Sequence, residues 1–304
     1  MSFPADELAV SSMGVNFYSF AIAPFLEHAF MQRSLIGVLL LALSACPLGV
    51  FLMLRRMSLT GDAMSHAILP GVALGFLFFG LELIPMTIGG LLIGWLVAVA
   101  AGAVSRLTSQ KEDASLAAFY LISLAAGVTI ISMRGSSVDL MHLLFGSVLA
   151  MDNTALYLIT AISSTTLVVL AIIWRALVAE CLDPLFLRSV SRWGALIHFV
   201  FLALVVLNLV GGFQALGTLL VVGLMMLPAA TARFWSAQIR PMCILAIGFG
   251  ATAAISGLLL SYHAALPSGP AIVLAAGSIY LVSLFIGPNG IIATHKKPIS
   301  HRTA

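Results

Sequence analysis

Hydrophobic residues make up 61% of the 304 positions and charged residues 8%, with a mean hydropathy of +1.14. A soluble core needs far less apolar surface, so the chain reads as an all-α polytopic membrane helix bundle in a single membrane domain. The net charge of +3 and pI near 8.9 would suit nucleic acid, but the basic residues fall in one set of loops, which is a topology signal and excludes that partner.

Residues 1–33, interrupted by Pro4, Pro24, Glu27 and His28, are too broken for a span of about 20 residues and are expected as an external or interfacial segment. No positively charged signal peptide is expected, since the first apolar stretch follows Asp6 and Glu7. A transmembrane domain over 34–290 should then hold about nine spans, with eight as the alternative. They are placed near 34–54, 60–80, 84–105, 114–132, 154–174, 193–210, 213–232, 241–262 and 269–287. Long unalternated apolar runs exclude a β-barrel. If the first span runs inward, the inner loops hold Arg55, Arg56, Arg106, Lys111, Arg175, Arg188, Arg192, Arg233, Arg240, Lys296, Lys297 and Arg302. Only Arg33 and Arg134 then lie outside, which sets the N-terminus out, the C-terminus in and 291–304 as a basic cytoplasmic tail.

Two stretches do not fit simple spans. Residues 138–151, VDLMHLLFGSVLAM, are apolar but too short to cross, and are expected as a short outer or re-entrant helix. Residues 175–192 are expected as the longest inner loop, where the Asp183-Pro184 pair suits a helix start with Asp183 as its cap and Pro184 at its first position. Leu182, Phe186 and Val190 recur every four residues there, a stripe suited to a docked partner or to the lipid headgroups. Cys46, Cys181 and Cys243 have no metal-site spacing and read as packing residues.

The chain is organised around RRMSLTGDAMSHAILPGVALG, residues 55–75. Asp62 and His66 are four apart, so on a helix they share one face, about 6 Å apart along the axis and about 40° around it. A carboxylate in an otherwise uncharged span costs about 2.5–3.5 kcal/mol on insertion scales, and such a residue is kept with a partner or an ion. The pair forms one edge of a metal or proton site, with a structural hydrogen bond as the plain alternative. Two residues do not complete a metal site; a symmetric dimer with this face at its axis would bring two carboxylates and two imidazoles, suited to Mn²⁺, Fe²⁺ or Zn²⁺.

Pro70 frees the carbonyl of His66, so the helix should bend or expose a backbone acceptor beside its own ligand. The spacings Gly71–Gly75 and Gly90–Gly94 permit close helix approach. Pro228, near the inner end of GTLLVVGLMMLPAATARFW, marks either a moving helix or an ordinary helix end. His142, His198, His263, His295 and His301 are given no role. The chain has no Gly-Lys pair, hence no Walker loop for ATP, and no H-E-x-x-H, so catalysis has little support.

In order along the chain, RRMSLTGDAMSHAILPGVALG, LLFGSVLAMD, GTLLVVGLMMLPAATAR and YHAALPSGPAIVLAAG resemble the membrane permease of bacterial ABC importers for manganese, zinc or iron, over about residues 34–290. The resemblance implies a permease in the bacterial plasma membrane, without enzymatic activity or permanent cofactor, whose transported substrate is a divalent metal ion. It implies as partners two cytoplasmic ATPase subunits, an external metal-binding solute-binding protein and a second protomer, as homodimer or heterodimer. Asp62 and His66 would line the metal path. Residues 180–190, with Glu180, Asp183, Pro184, Leu185 and Phe186, would be the ATPase-coupling loop; similar permeases often carry an acid where this chain has Leu185. A proton-coupled secondary carrier and a structural membrane protein are the alternatives from other classes.

Overall fold

The computed structural model describes residues 18–80, 82–108, 112–133, 148–182 and 194–292, and these are helical throughout, with no strand among them. A π-helical turn, Tyr18–Ile22, and a five-residue helix, Ala23–Glu27, lead into ten helices. They are α1 Ala29–Leu54, α2 Thr60–Ala67, α3 Leu69–Phe79, α4 Leu83–Leu107, α5 Glu112–Met133, α6 Asn153–Leu182, α7 Gly194–Leu216, α8 Thr218–Arg233, α9 Ile239–Ala264 and α10 Ser268–Ile286. Eight spans, with Thr60–Phe79 taken as one, are long and apolar enough to cross a membrane. The ninth expected span is α8, a shorter apolar helix of 16 residues.

The helix ends differ from expectation in three informative places. α1 begins at Ala29 and not near 34, so Gln32 and Arg33 ride on its first turns, where polar side chains reach the interface. α7 continues through Gly211 and Gly212, and the break falls at Gly217, whose φ of +94° is open to glycine and strained for other residues. α6 has 30 residues, about 45 Å at 1.5 Å per residue, against a hydrocarbon core of about 30 Å. Residues 175–182, expected in a loop, are therefore the last two turns of α6, and Glu180 is helical. Asp183, Pro184, Leu185, Phe186 and the rest of 183–193 lie outside the described residues, as does all but the 3₁₀ turn Val148–Ala150 and Met151 of the expected outer helix.

α1 and α7 form the interior, each with 72% of its apolar window buried, while α5 at 22% lies on the rim. Close backbone approach makes this packing dense. A Cβ on Gly49 of α1 would lie 1.9 Å from the Met225 carbonyl oxygen of α8. Cys46 donates its thiol to the carbonyl of Leu224 at 3.3 Å, the oxygen that Pro228, four residues later, leaves without an N–H. Pro228 thus lies inside a continuous, buried helix, with its missing hydrogen bond supplied from α1.

Midway along α1, α6 and α7 a polar clasp replaces apolar packing. Ser44 donates to Asn208 Oδ1 at 2.7 Å and lies 3.2 Å from the Ser163 hydroxyl. Asn208 Nδ2 donates to Thr166 Oγ1 at 2.7 Å and to the Leu204 carbonyl at 2.9 Å. All four side chains are at most 1% exposed, and in a medium without water such groups must satisfy one another.

Candidate functional site

α1 is joined to α2 by a short hydrogen-bonded link. Met57 N–H donates to Leu52 O at 2.9 Å and Thr60 N–H to Met57 O at 3.1 Å, around Arg56, whose φ is +60°. This link sets the direction of α2, which carries Asp62 and His66 one turn apart. His66 Nε2 lies 3.9 Å from Asp62 Oδ1, too far for a hydrogen bond. Two donors on one ion with bonds of about 2.1 Å sit about 3.0–3.5 Å apart, so a small side-chain rotation brings this pair onto a shared cation. The Asp62 side chain is 67% exposed and that of His66 30%, on a face of the single protomer that its own helices leave open. Among the described residues no third His, Cys, Asp or Glu joins them in a metal-sized group. Beside Asp62 a cleft of about 190 Å³ runs between α2 and α5, with Thr60, Asp113 and Tyr120 in its lining.

The helix is interrupted at Ile68, between His66 and Pro70. Gly71 N–H turns to Ile68 O at 3.1 Å, which strands the Ala67 carbonyl, and Ser123 of α5 donates to that oxygen at 2.7 Å. Gly71 and Gly75 then bring α3 against α4: a Cβ on Gly71 would lie 2.0 Å from Gly89 O, and one on Gly75 2.7 Å from Met86 Cα. On α4 the backbone of Gly89 and Gly90 faces Gly71, while a Cβ on Gly90 would meet Val72 of α3 at 3.1 Å and Val210 of α7 at 3.2 Å, and one on Gly94 would meet Val206 of α7 at 2.7 Å and Ile68 at 2.8 Å.

At the end of the bundle where α1 stops, three distant residues meet that were not grouped from the sequence. Arg55 Nη2 donates to Glu180 Oε1 and reaches His198 Nδ1 at 2.8 Å, and the Glu180 and His198 atoms are 3.8 Å apart. The guanidinium also lies over the Phe201 ring, 5.1 Å from its centroid. The three side chains are 6–11% exposed. Arg55 reads in sequence as a topology marker and His198 as a lone interior histidine. Nothing local links them, since the contacts are 125 and 143 residues apart. Asn208 and Gln214 are polar side chains inside an apolar helix, and each bonds across to a neighbouring helix.

Residues 27–287 match the model of the ABC 3 transport family. The chain is 34% identical over 262 residues to the manganese import system permease protein ScaB of Streptococcus gordonii, covering 86% of this chain and 93% of that one. It is 30% identical over 285 residues to the chelated iron transport system membrane protein YfeD of Yersinia pestis, covering 94% and 92%. Its fold matches a chain of PsaBC from Streptococcus pneumoniae in complex with Fab with a TM-score of 0.79 and 33% identity, over 91% of this chain and 98% of that one.

Proposed function

Because this chain belongs to the ABC 3 transport family and is the membrane permease of a metal ABC transporter, a transport component and not an enzyme, we propose that Asp62 and His66 line the path of a divalent metal ion across a bacterial plasma membrane. The observation that carries this reading is an acid and an imidazole 3.9 Å apart and partly exposed, with no metal-sized group of three ligands around them among the described residues. A second protomer presenting the same face completes the coordination. Manganese is the first candidate, supported by the names of relatives and by a carboxylate and imidazole set that accepts Mn²⁺; YfeD, by name a chelated iron transporter, keeps iron as the second.

In this reading the Arg55 end of the bundle is cytoplasmic, in line with its basic residues. An external solute-binding protein delivers the metal at the opposite face. Separate ATPase subunits grip residues 183–193 and the adjoining end of α6, with Phe186 the strongest anchor by size. The test is Mn²⁺ uptake into vesicles holding the permease and its ATPase. Asp62→Ala and His66→Ala should each abolish uptake while insertion and dimerisation persist. Uptake near wild-type in both variants would end the metal-path reading.

A further inference from the structure

We propose that Arg55 is the positioning residue through which the inner ends of α6 and α7 act on the helix that carries Asp62. The proposal rests on the functional reading above, in which the chain between α6 and α7 meets the ATPase. Glu180 lies two residues from the last residue of α6, and His198 four residues after the first of α7. Both flanks of that connection are therefore held by one guanidinium. Arg55 in turn caps α1, and only the hydrogen-bonded link through Met57 and Thr60 separates it from α2. A displacement of α6 and α7 reaches Asp62 by a route of short, continuous contacts.

Two further observations favour a moving part over a static brace. Among the described residues, Arg55 Nη1 and Glu180 Oε2 are buried without a hydrogen-bond partner, so within that set each group keeps one position uncommitted. A buried pair kept only for stability gains little over apolar packing, and an unfilled donor and acceptor suit a cluster with a second arrangement that fills them. The Phe201 ring under the guanidinium is itself held: Phe51 packs edge to face on Phe201 and on Trp174, at centroid distances of 6.3 and 5.2 Å. Farther along the same three helices, the Ser44–Asn208–Thr166 clasp holds α1, α6 and α7 together. That clasp acts as the fixed point about which their inner ends shift.

The experiment measures Mn²⁺ uptake and ATP hydrolysis together in vesicles holding the permease, its ATPase and the external binding protein. In Arg55→Gln, hydrolysis should persist while metal moved per ATP falls by about tenfold or more, within the usual range for coupling between sites. Arg55→Lys, which keeps the charge, should recover part of that ratio. Mn²⁺ binding without ATP should stay at the wild-type level; its loss would place Arg55 at the metal site and overturn the coupling role. A wild-type ratio in Arg55→Gln overturns the proposal. If that variant does not assemble, Glu180→Gln in the same assay decides, with a wild-type ratio again the refuting result. Failure of the underlying metal path is read separately, from uptake by Asp62→Ala.

Discussion

Replacing Gly71 by alanine tests how α3 and α4 are held together beside the candidate site. The added Cβ would lie 2.0 Å from the Gly89 carbonyl oxygen and 2.5 Å from its carbon, where real contacts do not fall below 3.0 Å, so the helices must part by at least about 1 Å. The obstacle is backbone, which cannot swing aside as a side-chain tip does. α5 stands directly behind this stretch, since a Cβ added at Gly127 would lie 3.0 Å from Pro70 N and 3.1 Å from Leu69 Cβ. Overpacking of this kind costs about 1–3 kcal/mol, against which alanine returns up to about 1 kcal/mol of helix propensity. Gly248 and Gly277 supply the control: both are helical and a Cβ there meets nothing within 4 Å. Their alanine variants should be neutral or slightly stabilised, and the difference from Gly71→Ala isolates the steric cost. Thermal denaturation midpoints in one detergent measure it, with Gly71→Ala several degrees below wild-type at about 2–4 °C per kcal/mol. A midpoint for Gly71→Ala as high as that of Gly248→Ala would refute the close approach of α3 to α4.

The remaining predictions concern topology and the polar clasp. A cysteine at Glu82 should react with an impermeant reagent from outside and one at Lys111 should not; the opposite pattern would invert the proposed orientation and the side on which the ATPase binds. Asn208→Leu should lower the denaturation midpoint by an amount equivalent to about 1 kcal/mol, the usual scale of interhelical polar contacts in membranes, because Ser44 and Thr166 each lose a partner. An unchanged midpoint would mean that Asn208 contributes no net stabilisation.

The all-helical membrane fold was legible in the order of residues, because lipid leaves the backbone few choices and apolar runs must be long enough to cross, while the family was legible only through the resemblance of four sequence blocks. A bend or an exposed acceptor beside Asp62 and His66 was the sequence expectation for a similarly local reason: a proline removes its own N–H wherever it stands, and Pro70 stands four residues after His66. Helix ends were less so, since α6 runs on beyond the length the bilayer demands and α7 ignores two glycines to stop at a third. Those ends are decided by what each turn packs against. Only the tertiary structure joined Arg55 to Glu180 and His198, gave Gly71 the partner Gly89, and brought the Cys46 thiol to the carbonyl that Pro228 vacates. Each of these contacts joins different helices, and all but the Gly71–Gly89 approach join segments far apart in the chain, where periodicity and propensity carry no information. Hydropathy says that a helix crosses, while the neighbour on each face follows from which small residues, carbonyls and charges complement one another once all the helices are packed.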